Sequence, residues 1–169
     1  MNNAFKWGAI MAVGLIIASL ATHYTGLSSP DSMGGGIIAS LLSWVISIGA
    51  IVMGIKSYKQ ANGGFLTLGN GMSQGVLIGL FGGILVAVFT YVFFSFIAPE
   101  SMDNFKDAAM AGAEEAGGEQ EEMVGNIMDA MFSPGSMAMM SMIGNLIFGF
   151  IVGLVSGLIM KNERSQGTL

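Results

Sequence analysis

The chain has no cysteine and only one histidine, His23, among its 169 residues. The lack of cysteine excludes disulfides, thiolate metal sites and cysteine nucleophiles. No basic patch with interleaved aromatic residues is present, so nucleic-acid binding has no support. The sequence also lacks the GxSxG, HExxH and P-loop motifs that mark several enzyme classes. We therefore assign no catalytic or metal-binding residue and no cofactor, and we predict that the protein is not an enzyme.

Charged residues are scarce, and they are absent from the longest apolar segments. They make up 10% of the chain, against roughly 25% in a soluble domain. None lies within the four apolar stretches 7–24, 36–55, 74–98 and 136–160. Because about 20 apolar residues in a helix cross the roughly 30 Å hydrocarbon core of a bilayer, each stretch can span it. The sequence predicts an all-α polytopic membrane protein with one membrane domain of four transmembrane helices.

The positions of lysine and arginine predict the orientation of these spans. Basic residues flank the first span, the second connection and the end of the fourth span: Lys6, Lys56, Lys59, Lys161 and Arg164. The long third connection, 99–135, contains a single lysine. Basic loops stay on the cytoplasmic side. Both termini are therefore predicted to be cytoplasmic, the spans to form two hairpins, and loop 99–135 to lie outside the cytoplasm.

Loop 99–135 carries most of the negative charge, nine of the eleven acidic residues. The spacing of Met102 and Phe105, and then of Met123, Ile127 and Met131, predicts one or two short amphipathic helices. The acids favour a solvated helix face. A divalent-cation site is the alternative, although the acidic run 114–122 lacks the alternation of an EF-hand loop.

Methionine is also concentrated in one region, with nine of the fifteen between Met102 and Met142. Thioethers are soft ligands that can bind Cu(I). Methionine also fills irregular apolar gaps. We favour the packing role over copper binding.

Two spans carry glycine at every fourth position: Gly75, Gly79, Gly83, Gly149, Gly153 and Gly157. Positions four apart lie on one helix face, so each series forms a smooth groove that another helix backbone can approach closely. We predict that these residues pack helices within the four-helix bundle. Contact with a second copy of the chain or with a larger membrane complex is the alternative. Ser40, Ser43 and Ser47 form a looser stripe of small residues, and the glycines at 63, 64, 69 and 71 predict a flexible loop.

Two other polar residues of the spans are candidates for contacts inside the membrane. His23 lies near the outer end of the first span, where we expect an interfacial position beside Tyr24. A proton relay would require a carboxylate partner in the membrane, and the spans contain none. Asn145 lies well inside the fourth span and is predicted to hydrogen-bond a neighbouring helix. A pore-lining role for Asn145 is the alternative.

Three segments carry a resemblance to a known family. They are Ile-Lys-Ser-Tyr-Lys-Gln-Ala-Asn-Gly-Gly-Phe-Leu-Thr-Leu-Gly beginning at Ile55, Phe-Ile-Ala-Pro-Glu-Ser at 96–101, and Leu-Val-Ser-Gly-Leu-Ile-Met-Lys at 154–161. Together they resemble the domain-of-unknown-function 4199 family. The resemblance implies a four-span inner-membrane protein of Bacteroidota with a periplasmic helical loop and no catalytic residues to transfer. Leu68, where the family pattern suggests an aromatic residue, and the high methionine content depart from it.

These features favour a non-enzymatic membrane component: an accessory subunit, a scaffold or an assembly factor. Smooth glycine faces and charge-free spans suit helix packing and partner contact. The alternative is a small transporter or channel, in a homo-oligomeric form. The absence of charges and prolines from the spans is unlike the broken helices of many transporters.

Overall fold

The protein is described by a computed structural model that covers residues 2–27, 34–114, 127 and 130–162. Within them the chain forms five α-helices: α1 (Asn3–Tyr24), α2 (Gly35–Ala61), α3 (Leu68–Val92), α4 (Pro99–Glu114) and α5 (Pro134–Met160). A π-helical turn, Phe93–Ile97, continues α3. Four of these segments, α1, α2, α3 with its π-turn, and α5, are long and apolar enough to cross a membrane. The predicted all-α polytopic class is confirmed.

The spanning helices extend beyond the apolar stretches. In α1 the first residue is Asn3, and the Asn2 side chain accepts a hydrogen bond from the Ala4 amide at 3.3 Å. In α3 the first residue is Leu68, and the Thr67 hydroxyl accepts one from the Asn70 amide at 3.2 Å. Apolarity marks the hydrocarbon core, whereas a helix continues until its end groups are capped. The observed helices therefore include polar residues on either side of the predicted spans.

The connection between α2 and α3 is shorter than predicted. Gly63 and Gly64 lie in the turn with φ of 67° and 85°, conformations that glycine adopts readily. Gly69 and Gly71, in contrast, belong to α3. Their assignment to a flexible loop was wrong, because the Thr67 cap starts the helix ahead of them and membrane helices tolerate glycine.

Helix α3 is the centre of the bundle. It packs against α1, α2 and α5, and its contact with α5 is the most extensive in the molecule. Helix α2 contacts α1 on one side and α5 on the other. The two predicted hairpins, α1–α2 and α3–α5, are therefore both in direct contact, and α3 joins them.

Packing is uneven along the bundle axis. One half of the bundle contains the start of α1, the α2–α3 connection and the end of α5, and we call it the closed half. We call the opposite half the open half. All the largest fully buried side chains belong to the closed half: Met11, Ile51, Ile55, Leu66 and Ile78. Within α2, by contrast, no residue from Gly36 to Ile46 is buried. Most of the buried residues of α2 therefore lie in its closed half.

Hydrogen bonds lock the end of the closed half. The Leu66 amide donates to the Asn162 carbonyl, and the Asn162 amide donates to the Leu66 carbonyl, each at 2.9 Å. The Asn162 side-chain amide donates to the Gly64 carbonyl at 3.0 Å. The Lys59 ammonium donates to the Met160 carbonyl at 2.8 Å, where a cation suits the negative end of the α5 dipole. We call this set the closed-end clasp.

Helix α4 begins directly after the π-turn and agrees with the first predicted amphipathic helix of the long loop. Ala98 and Met102 are buried, whereas Glu100 and Asp103 are exposed. The helix therefore buries Met102 beside the π-turn, which it contacts, and turns Glu100 and Asp103 to its surroundings. Most of the second predicted helix lies outside the described residues.

Candidate functional site

The two predicted glycine series face each other across the α3–α5 contact. A Cβ atom added to Gly75 would collide with the Gly149 carbonyl and lie 2.6 Å from the Gly153 Cα. A Cβ on Gly79 would lie 2.5 Å from the Asn145 carbonyl oxygen. A Cβ on Gly83, nearer the open half, would lie 3.1 Å from its nearest neighbour, the Met142 carbonyl oxygen. The backbones thus touch most closely in the closed half.

The contact reaches one turn further into the closed half than the sequence analysis assigned. A Cβ on Gly71 would lie 2.6 Å from the Gly157 Cα. Gly71 continues the spacing of Gly75 and Gly79. The signal was present in the spacing, but the loop assignment concealed it. The two glycine series therefore pack against each other within one chain.

A second close helix crossing joins α1 and α3, and the sequence analysis missed it. A Cβ on Gly8 would lie 2.9 Å from the Gly82 amide nitrogen, and one on Gly82 would lie 3.0 Å from the Gly8 carbonyl oxygen. The pair Gly82-Gly83 was the available signal, since adjacent residues on a helix face different neighbours. Through Gly82 and Gly83, α3 approaches α1 and α5 at once.

The closed half also contains a polar contact between three helices. The Asn3 side-chain amide donates to the Gly54 carbonyl at 2.9 Å and to the Gln74 side-chain oxygen at 3.2 Å. Gln74 is buried. The nearby Trp7 indole nitrogen is buried and has no hydrogen-bond partner among the described residues. This contact fixes the start of α1 against α2 and α3.

The open half contains a cavity of about 440 Å³ where all four spanning helices meet. Its polar lining is neutral and consists of Ser19, Ser43, Ser47, Ser141 and Asn145. Leu15, Trp44, Val86 and Phe148 supply the apolar part. The volume falls within the range of about 300–1,000 Å³ that is typical of small-molecule sites. A mostly apolar wall with a few hydrogen-bonding groups is also typical of such sites.

Three of the five polar side chains bond back to their own helices. The Ser43 hydroxyl donates to the Ala39 carbonyl at 2.9 Å, and the Ser141 hydroxyl donates to the Ala138 carbonyl at 2.8 Å. The Asn145 amide donates to the Ser141 carbonyl at 2.8 Å. The expected bond from Asn145 to a neighbouring helix is therefore replaced by one within α5. Asn145 also lines the cavity, and the pore-lining alternative stays a prediction.

The other two hydroxyls of the cavity, on Ser19 and Ser47, are unbonded within the described part of the chain. Ser47 is only 5% exposed. The Ser47 hydroxyl oxygen is not among the fully buried polar atoms, so it is accessible from the cavity, where it can bond a water or a ligand group. Ser47 thus marks the cavity as a place that can accept a hydrogen-bonding guest.

His23 lies at the far end of the open half, away from the polar lining. It is half-buried, and its ring packs edge-on against Tyr24 at 5.3 Å and against Phe93 of the π-turn at 5.1 Å, centroid to centroid. The interfacial position expected for His23 stays a prediction, because a contact with the adjacent Tyr24 does not test it. Across residues 2–27, 34–114, 127 and 130–162, no group of three or more His, Asp or Glu side chains could hold a metal ion.

Two of the methionines at the start of α5 depart from the predicted packing role, whereas Met137 and Met142 are half-buried. Met139 and Met140 are 61% and 51% exposed. They face outward, because the opposite side of α5 packs against α3. Their apolar thioethers suit lipid contact at this position.

The fold and the charge-free spans define a polytopic membrane protein built as a four-helix bundle. The chain matches the family model described as "Protein of unknown function (DUF4199)" over residues 6–162, and it belongs to that family. The family resemblance predicted from the sequence is confirmed. Neither the curated proteins nor the solved structures provide a match.

Proposed function

We propose that the protein is a non-enzymatic component of the inner membrane that serves as an accessory, scaffold or assembly subunit. The open half of α2 is the observation that carries this proposal. Its apolar side chains face away from the bundle, with Ile37 68%, Leu41 53% and Val45 69% exposed. An exposed apolar face of this kind can contact a neighbouring membrane protein. The glycine faces on α3 and α5 pack with each other and are therefore not available to a partner.

The charge distribution supports an orientation for this subunit. Lys6, Lys56 and Lys59 lie at the closed end, whereas Glu100 and Asp103 lie beyond the open half. Under the positive-inside rule the closed end is cytoplasmic, and the long acidic loop is periplasmic. Both termini then lie in the cytoplasm.

Cysteine labelling tests the orientation cleanly because the chain has no cysteine of its own. Lys56→Cys and Glu100→Cys variants would be treated with a membrane-impermeant maleimide in intact cells. We expect label on the Glu100→Cys variant at once, and on Lys56→Cys only after the inner membrane is permeabilised. The reverse pattern would overturn the orientation.

Site-specific photocrosslinking in native membranes tests the accessory role. A benzoylphenylalanine at Val45 would sample the exposed face of α2. The same residue at Ile159, which is 78% exposed on the closed half of α5, is the matched control. We expect one stoichiometric protein adduct from position 45 and lipid adducts alone from position 159. Lipid adducts alone at both positions would contradict the accessory role, and a dimer of the chain would assign a homo-oligomer.

The cavity favours a second candidate, a small transporter or channel for neutral solutes. Its lining combines uncharged hydrogen-bonding groups from α1, α2 and α5. Reconstituted liposomes would be tested for glycerol and urea flux. The transport function predicts flux that a Ser47→Leu substitution abolishes. Flux equal to that of empty liposomes would remove this candidate.

A further inference from the structure

The cavity of the open half is open towards the side of the bundle. Two of its lining residues are themselves exposed, Trp44 at 56% on α2 and Gly144 on α5. The Trp44 and Phe148 rings lie 6.5 Å apart, centroid to centroid, between these two helices. The mouth therefore lies between α2 and α5, at the level of the spans, where the surroundings are lipid.

The hydrogen-bonding groups that remain free in the cavity are neutral. Ser19 and Ser47 have hydroxyls available to donate, and the Asn145 side-chain oxygen is available to accept within the described part of the chain. Among the described residues, no lysine, arginine, aspartate or glutamate lines the cavity. A charged group would lose its hydration there without an opposite charge to compensate, which is costly.

We propose that this cavity binds a neutral lipid with a single acyl chain, such as a monoacylglycerol, entering between α2 and α5. The chain would lie against Leu15, Val86 and Phe148. The ester carbonyl would accept a hydrogen bond from Ser47, and the free hydroxyls of the glycerol would reach Asn145. This inference goes beyond the accessory role and does not depend on it.

Trp44 provides a direct readout of occupancy, since the chain has only two tryptophans. A Trp7→Phe background leaves Trp44 as the sole fluorophore. The probe is a monoacylglycerol with a 9,10-dibromostearoyl chain, whose bromines quench indole, titrated into nanodiscs of phosphatidylcholine. We expect saturable quenching. Dibrominated phosphatidylcholine should quench only the lipid-exposed side of Trp44, without saturation.

Two substitutions and one matched control assign that quenching to the cavity. Ser47→Leu fills the cavity and should raise the half-saturating probe concentration at least tenfold. Ser47→Ala, which removes only the hydroxyl, should raise it about 3- to 10-fold, in keeping with one hydrogen bond. Ser40→Leu is the control, because Ser40 lies on α2 but is exposed and bonds the Gly36 carbonyl at 2.8 Å. It should bind like the parent.

Three outcomes would overturn the proposal. Non-saturable quenching would mean that the cavity holds water alone. Equal affinity of the parent and Ser47→Leu would place the probe elsewhere. Equal affinity for the dibromostearate anion would contradict the neutral class.

If Ser47→Leu does not fold, Gly144→Leu replaces it. A Cβ at Gly144 meets nothing within 4 Å, and the leucine side chain is expected to occlude the mouth of the cavity. Binding is measured without a partner, so the outcome is separate from that of the crosslinking test.

Discussion

The closed and open halves of this bundle are built from the same four helices but packed by different means. In the closed half, backbones touch through glycine, a polar contact joins three helices, and the clasp joins Asn162, just after α5, to the α2–α3 connection. In the open half, α2 buries nothing between Gly36 and Ile46, and a neutral cavity lies between the helices. The comparison indicates that one half holds the fold together while the other is available for binding.

Because lipid tails are as apolar as leucine, burial of apolar side chains does not drive helix association in a membrane. Close backbone approach and hydrogen bonds supply the stability instead. These contacts are concentrated in the closed half. The open half can therefore expose apolar residues and leave a cavity at little cost in stability.

The strongest test of this comparison is a single added methyl group on the glycine contact. Gly75→Ala should lower the free energy of unfolding by about 3 kcal/mol or more, because its Cβ collides with the Gly149 carbonyl and backbones cannot yield. Gly83→Ala, nearer the open half, should cost about 1 kcal/mol, since its nearest contact is 3.1 Å. Circular dichroism during SDS titration in mixed micelles measures both.

Gly144→Ala is the matched control for these two variants, because its Cβ would meet nothing within 4 Å. It should change the unfolding free energy by no more than about 0.5 kcal/mol. Equal losses for Gly75→Ala and Gly83→Ala would remove the proposed difference between the halves.

A smaller effect is expected at the closed-end clasp. Lys59→Met keeps the apolar stem but loses the bond to the Met160 carbonyl and the favourable charge at the end of α5. The ammonium is partly solvated, so the loss should be about 1 kcal/mol, below the range for fully buried charged bonds. Lys56→Met is the control, because Lys56 is exposed. Equal unfolding curves for the two variants would show that the clasp contributes no stability.

In the open half, loss of a polar side chain should matter less. Asn145→Ala removes a bond within α5 and should cost about 0.6 kcal/mol, the average for side-chain hydrogen bonds inside membranes. Ser141→Ala leaves in place the Ser141 backbone carbonyl that accepts the bond from Asn145, so this substitution should cost less. The same SDS titration measures both. A loss above about 2 kcal/mol for Asn145→Ala would show that the open half is packed as firmly as the closed half.

The smallest effect is expected at Trp7. Trp7→Phe removes a buried indole N–H that has no partner among the described residues, which relieves a cost of about 1–3 kcal/mol. The smaller ring loses packing of similar size. The net change should therefore lie within about 0.5 kcal/mol of the parent. A clear loss of stability would show that this nitrogen has a partner in the folded protein.

The sequence predicted those parts of the structure that depend on composition and spacing. Charge-free stretches revealed the four spans, and the four-residue spacing of Gly75, Gly79 and Gly83 revealed one packing face. The limits of the helices could not be read from apolarity, because capping by Asn2 and Thr67 sets them outside the hydrocarbon core. Gly71 was misassigned for the same reason.

The cavity could not be predicted, because its polar residues come from three helices. Ser19, Ser47 and Asn145 are far apart in the chain, and each is an ordinary small or polar residue in its own helix. They come together only in the packed bundle, where all four spanning helices line the cavity. The hydrogen bond of Asn145 within α5 could not be predicted either. Asn145 lies four residues after Ser141, so its side chain can reach the Ser141 carbonyl, but the sequence equally permits a bond to a neighbouring helix.

The α3–α5 contact also has a consequence for biosynthesis. During synthesis, α3 leaves the ribosome well before α5, and translation at about 5–20 residues per second makes that interval seconds long. Throughout it, the groove from Gly71 to Gly83 has no α5 to cover it, while α1 can already approach through Gly8. Any other nascent helix with a small-residue face could enter that groove first. The order in which the spans leave the insertion machinery is therefore part of what determines whether each copy acquires its own last helix.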